Sequence, residues 1–141
     1  MSEVEITVGA TQVIERTFTA EEVRAFGQLS GDRGIQHEVA DAQGRLMVHG
    51  LLLASLPTQV GGQFNFLARV LHFEFFRPAW TSVPVRCEAT ITKLEPTSRG
   101  TRMESQWVCR DPAGEILMQG TAQGLIPARD GRGPGTAPGP Q

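Results

Sequence analysis

Asp32 and His37, an acid and an imidazole five residues apart, are the pair in this chain best suited to moving a proton. They lie in a polar stretch without regular period, GDRGIQHEVADAQGRL over 31–46, where Gly34 lets the backbone fold back and bring the two side chains together. Just past it, Val48-His49-Gly50 opens an apolar run. A helix starting there turns its unpaired amides and the positive end of its dipole toward the loop. The Gly50 amide, on a residue with no side chain in the way, suits donation to a carbonyl oxygen on which negative charge develops. Close packing of helix on sheet is an equal reason for a glycine there. His49 reads as a packing or capping residue, because it need not share a face with Gly50.

Several elements must position these residues. Residues 4–18 alternate loosely and read as an edge strand or extended arm. Thr19-Ala20-Glu21-Glu22 is a capping box, in which hydroxyl and carboxylate each satisfy a free amide, and Gly31 suits the left-handed stop. A first helix is therefore expected over 20–30. A second, over roughly 48–60, is apolar on nearly every side and reads as buried; Pro57 should loosen it and Gly61-Gly62 end it. Strand-like segments near 66–76, 83–94, 101–110 and 115–126 follow, separated by turn residues, and imply an antiparallel meander. A helix this apolar, followed by a long curved sheet, is best satisfied by a sheet wrapped around it. The edge left open by one sheet leads us to expect a homodimer.

The chain has 141 residues, which fits a single domain over 1–127 followed by a Gly/Pro-rich tail over 128–141, expected to be disordered. A net charge of -2 with interspersed signs gives no case for binding nucleic acid or a membrane surface. No stretch reaches the ~18 apolar residues of a membrane span. The acidic start, Met-Ser-Glu-Val-Glu, lacks a secretory pattern, so a cytoplasmic location is expected. Cys87 and Cys109 lie in strand-like segments with no histidine at ligand spacing; both read as small core residues, and no metal site is expected. His72 reads as a sheet-face residue, and Trp80 and Trp107 as core or interface. Phe64, Phe66 and Phe76 could line an apolar tunnel, but read more simply as core.

With these residues in view, the chain resembles the MaoC-like dehydratases and (R)-specific enoyl-CoA hydratases of the hotdog fold. The resemblance runs from about Val13 to Pro127, four fifths of the chain, and rests on "FTAEEVRAFGQLSGD", a histidine five residues after that Asp, "VHGLLLASL" and "FRPAWTSVPVRCEATI". It implies an α+β hotdog fold, a long curved antiparallel sheet around a central helix. It also implies that Asp32 and His37 hold and activate a water beside a double bond, and that the Gly50 amide receives a thioester carbonyl. Thr58 matches a serine that supports the loop and site; Ser55, one turn earlier, could be mistaken for it. The reaction implied is reversible syn addition of water to a 2-enoyl thioester, with no metal or redox cofactor and with coenzyme A or an acyl carrier protein as the substrate's carrier. Asp32 would take the proton of the water, a task helped by burial against the apolar helix.

Two departures stand out. The family's Gly-Asp-x-Asn-Pro-x-His reads Gly-Asp-Arg-Gly-Ile-Gln-His here, and the stretch between His37 and the second helix is shorter than usual. They leave room for a changed second reactant: Arg33 and Arg45 could bind a carboxylate, on an amino-acid nucleophile or an acyl chain, or contact the carrier. Thioester hydrolysis and a non-catalytic subunit that binds acyl thioesters are the other readings.

Overall fold

The computed structural model describes residues 6–128. Its elements are β1 (Thr11–Arg16), α1 (Ala20–Ser30), α2 (Ile35–Glu38), α3 (Gly50–Gln63), β2 (Leu67–Phe75), β3 (Val85–Thr97), β4 (Gly100–Arg110) and β5 (Ile116–Pro127). The tail expected over 128–141 lies outside the described residues except for Ala128, as do residues 4 and 5 of the expected arm. Among the described residues no helix is long and apolar enough to cross a membrane.

The first helix forms where its caps demand. The Glu22 amide donates to Thr19 Oγ1 at 3.1 Å and the Thr19 amide to Glu22 Oε1 at 2.9 Å, while Gly31 closes the helix at φ 82°. Strand turns also follow local chemistry. Asp111 Oδ1 accepts the amides of Ala113 and Glu115, both at 2.9 Å, and Gly114 takes the left-handed position at φ 84°.

All five strands pair antiparallel in the order β1-β3-β4-β5-β2. This corrects the simple four-strand meander: β3, β4 and β5 are consecutive neighbours, but β2 crosses over to pair with β5 at the far edge. Three irregularities interrupt the ladders, one in β3 between Ile91 and Lys93, one in β2 between Ala68 and Val70 and one in the β4–β5 ladder between Cys109 and Arg110.

α3 lies across the concave face. Leu53, Ala54, Leu56, Pro57 and Val60 are buried in a core that includes Cys87, Ala89 and Ile91 of β3, Met103, Trp107 and Cys109 of β4, and Met118 and Ala122 of β5. Cys87 and Cys109 face each other across the β3–β4 ladder as free, buried thiols. The hydrogen-bonding Cys87 thiol, and then burial, push the Cys109 thiol far above its usual range. Two expectations for α3 need correcting. It runs through Gly61-Gly62 to Gln63, and it is not buried all round, since Leu51 is 68% exposed. The sheet covers one side of α3 only. The polar stretch 31–46 also holds a short helix, α2, that its lack of period concealed.

Candidate active site

α2 is what presents His37. Its amide donates to Gly34 O at 2.9 Å, and its ring turns inward until the residue is only 6% exposed. Nδ1 lies 2.7 Å from the Met47 carbonyl, which can only accept, so Nδ1 carries a proton. In the neutral ring Nε2 then offers its lone pair toward Gln36 Nε2 at 3.3 Å and Asp32 Oδ2 at 3.8 Å. The Met47 carbonyl is itself fixed, because Met47 donates to Gln36 O at 3.0 Å and Val48 to Ala79 O at 2.8 Å. Beside it, buried Thr81 accepts the Leu46 amide through Oγ1 at 3.0 Å. The segment 79–82 thus clamps the approach to α3 and, through Met47, the imidazole.

Asp32 follows the left-handed stop of α1. Its carboxylate is 59% exposed, with Oδ1 taking the Gly34 amide at 3.3 Å. The burial expected from the apolar helix is not provided by this chain's own α3.

His49 sits immediately before α3 but supplies no side-chain cap. Its ring is buried, 1% exposed, and stacks on His37 with centroids 3.7 Å apart and planes 16° apart. His49 Nε2 lies 2.8 Å from the Asp32 carbonyl oxygen, and its Nδ1 has no partner. With no cap at His49, the first in-helix bond of α3 is Leu53 N–H to His49 O, which leaves the Gly50, Leu51 and Leu52 amides pointing out of the helix head. A Cβ on Gly50 would come within 3.2 Å of the Phe75 ring, so the glycine lets that ring of β2 pack against the head of α3.

Asp32, His37 and His49 each bring a possible metal-ligand atom within 4.8 Å of the others. The stack does not fit that use. A nitrogen ligand points its lone pair in the plane of its ring at a metal about 2.1 Å away, and two stacked, nearly parallel planes share no such point.

The other expected residues divide. Ser55 Oγ donates to Leu52 O and Thr58 Oγ1 to Ser55 O, each at 2.6 Å, so both hydroxyls are spent on α3 itself and neither bonds to the acid–imidazole pair. Arg33 Nε pairs with Glu38 at 2.6 Å; Arg45 grips Asp41 Oδ2 from two nitrogens at 2.9 and 3.0 Å and stacks on Trp80. Arg45 is thus engaged by both acid and ring, whereas Arg33 is held through Nε alone and stays 63% exposed. Gln36, Met47 and Phe75 belong to the site and had not been singled out. Gln36 could have been suspected as the neighbour of His37, whereas a backbone carbonyl and a residue 25 positions beyond Gly50 leave no local signal.

Further along α3 an apolar cavity of about 210 Å³ opens between the helix and the sheet. Thr58, Gly61, Phe64, Phe66, Leu71 and Met103 are among its lining residues. Phe64 and Phe66 thus border a cavity as well as packing, whereas Phe76 is 49% exposed outside it. Its near end along α3, at Pro57, is about two helical turns, roughly 10 Å, from Gly50.

No family model and no curated protein sequence matches the chain. Solved structures do. An (R)-hydratase from A. caviae involved in PHA biosynthesis is 26% identical with a TM-score of 0.73, over 86% of this chain and 98% of that one. R-hydratase PhaJ1 from Pseudomonas aeruginosa gives 17% identity and a TM-score of 0.75, over 96% and 94%. A MaoC-like dehydratase from Rhodospirillum rubrum gives 15% identity and a TM-score of 0.65, over 88% and 94%. The chain is a hotdog-fold protein, built like the (R)-hydratases and MaoC-like dehydratases.

Proposed function

We propose that the chain is a hydratase/dehydratase of acyl thioesters, adding water reversibly and syn to a 2-enoyl-CoA or enoyl-acyl carrier protein to give a 3-hydroxyacyl thioester. The observation that carries this reading is the 3.8 Å gap between Asp32 Oδ2 and His37 Nε2 beside the open head of α3. That gap is too long for a direct hydrogen bond and suits one water donating to both acceptors, taking the place of the long Gln36 contact on Nε2. With its hydrogens so held, the water turns an oxygen lone pair toward C3 of the substrate. Asp32 takes a proton as the C3–O bond forms and the double-bond electrons move onto the thioester oxygen. The Gly50 amide stabilises that enolate, and the proton returns from the same pair to C2 on the same face. The scheme uses no metal or redox cofactor; coenzyme A or the carrier protein is the handle on the substrate. The acyl chain has the apolar cavity from Pro57 onward ahead of it, larger than the ~150 Å³ apolar cavity known to take up benzene.

A homodimer in the cytoplasm is the expected working form. β2 is an edge strand exposed along almost its whole length, and Leu67, Val70, Leu71 and Phe75 are 48–59% exposed on it. A second copy joined along this edge would cover those side chains and satisfy the free strand edge.

Hydration of crotonyl-CoA, followed by loss of enoyl-thioester absorbance, tests the proposal. Wild type is expected to turn over and Asp32→Asn to lose about 10²–10⁴-fold in kcat. Equal rates in the two proteins, or none in either, would sink it.

A further inference from the structure

We infer that His49 is a positioning residue of this site, the imidazole that fixes the Asp32 backbone and the plane of His37 against the head of α3. The inference rests on the hydratase reading above for its catalytic consequence, and on three contacts for its physical content. His49 Nε2 donates to the Asp32 carbonyl oxygen at 2.8 Å across 17 residues of sequence. Its ring stacks on His37 at 3.7 Å. Its other side meets Phe26 of α1, tilted by 60° with centroids 4.9 Å apart.

The Asp32 carboxylate needs such an anchor. Exposed to solvent, it has a 3.3 Å contact to the Gly34 amide and no closer hydrogen bond, so its place is set by its own backbone. That backbone is held by the Ser30 hydroxyl at 3.1 Å on the amide side and by His49 on the carbonyl side. The approach is possible because residue 27 is a glycine. A Cβ there would lie 3.2 Å from the Asp32 oxygen and 3.6 Å from His49 Nε2. One imidazole therefore ties the end of α1, the acid's loop, the imidazole on α2 and the start of α3.

The arrangement also explains an unsatisfied group. His49 Nδ1 is buried without a partner because Nε2 rather than Nδ1 faces the loop carbonyl. A residue serving as a helix cap would aim its acceptor at the α3 amides instead.

The test compares His49→Phe, which keeps a ring in the stack and deletes the donor, with His49→Gln, which restores an N–H at similar reach. His49→Phe is expected to lower kcat for crotonyl-CoA by 10- to 100-fold with KM within threefold, since a displacement near 1 Å costs on the order of 10²-fold. His49→Gln is expected to recover most of that loss. Hydrogen exchange of residues 31–37 is expected to quicken in the Phe variant and not in the Gln variant. Unchanged exchange and kcat in His49→Phe, or equal losses in both variants, would overturn the inference. An inactive wild type would instead overturn the hydratase reading, and the exchange comparison would still decide the role of His49.

Discussion

Replacing His37 by asparagine separates what its ring does for the fold from what it does for the chemistry. The Asn amide nitrogen falls where Nδ1 stands, so donation to the Met47 carbonyl, 2.7 Å in the native site, survives. What disappears is Nε2, the acceptor that faces Asp32, together with part of the surface stacked on His49. Removing that part of a buried ring costs on the order of 1 kcal/mol. His37→Leu roughly keeps the volume but strands the Met47 carbonyl without its donor, a loss of about 1–3 kcal/mol. For a chain of this size, 1 kcal/mol moves the unfolding midpoint by roughly 3 °C, so the two variants separate in a thermal melt. Both are expected to lose about 10²–10⁴-fold in kcat for crotonyl-CoA hydration, the range for a positioned acid–base group. Two results would refute the reasoning. If His37→Asn kept kcat within threefold of wild type, Nε2 would have no part in handling the water. If leucine proved no more destabilising than asparagine, the bond to Met47 would not be what holds the ring.

Gly61→Leu puts bulk into the 210 Å³ cavity, with only Phe66, 3.1 Å from the added Cβ, having to yield. The ratio of kcat/KM for crotonyl-CoA over 2-octenoyl-CoA is expected to rise more than tenfold, and an unchanged ratio would place the acyl chain elsewhere. Glu22 is held below its usual value near 4.5, chiefly by the Thr19 amide and then by Arg16. Its contribution to stability is therefore fully present above about 4.5 and fades as pH falls through the lower folded value, so the difference in urea midpoint between wild type and Glu22→Gln should shrink from about pH 6 to pH 3. Val70→Lys with Leu71→Lys charges the open edge of β2. Sedimentation is expected to give twice the 15.3 kDa chain mass for wild type and the single mass for this variant.

Much of this fold is legible from local chemistry. The Thr19–Glu22 box and Gly31 mark both ends of α1, and the turns at 97–100 and 111–114 fall where glycine, proline and aspartate cluster. The partners of β2 are not legible, because its sequence is equally compatible with β3, its neighbour in the chain, and with β5, its neighbour in space. The exposure of Leu51 is hidden for a related reason. Composition reports how apolar α3 is, not how wide a sheet one chain can spread over it. In the site, the resemblance picked out Asp32, His37 and Gly50, and the structure sets the first two 3.8 Å apart with Gly50 at the adjoining helix head. It gave no hint that the ring beside Gly50 would reach back to the Asp32 carbonyl, since a contact between a side chain and a distant backbone atom imposes no pattern on intervening residues.

Two of the three ladder irregularities, those in β3 and β2, have a common consequence. The one in β3, between Ile91 and Lys93, lies opposite Ser105 and Glu104 of β4. Those residues pair with Ala122 and Gln123 of β5, and Gln123 in turn pairs with Val70, where the β2 irregularity falls. The breaks therefore align in one transverse row, a crease dividing the sheet into two panels. Beyond it the alternation of β3 changes phase, so that Leu94 rather than Lys93 turns to the core side beside Met103. The panel beyond carries the Thr97–Gly100 hairpin, and the other packs beneath the head of α3. Changes of length in that hairpin can be taken up at the crease, leaving the panel beneath the head of α3 untouched.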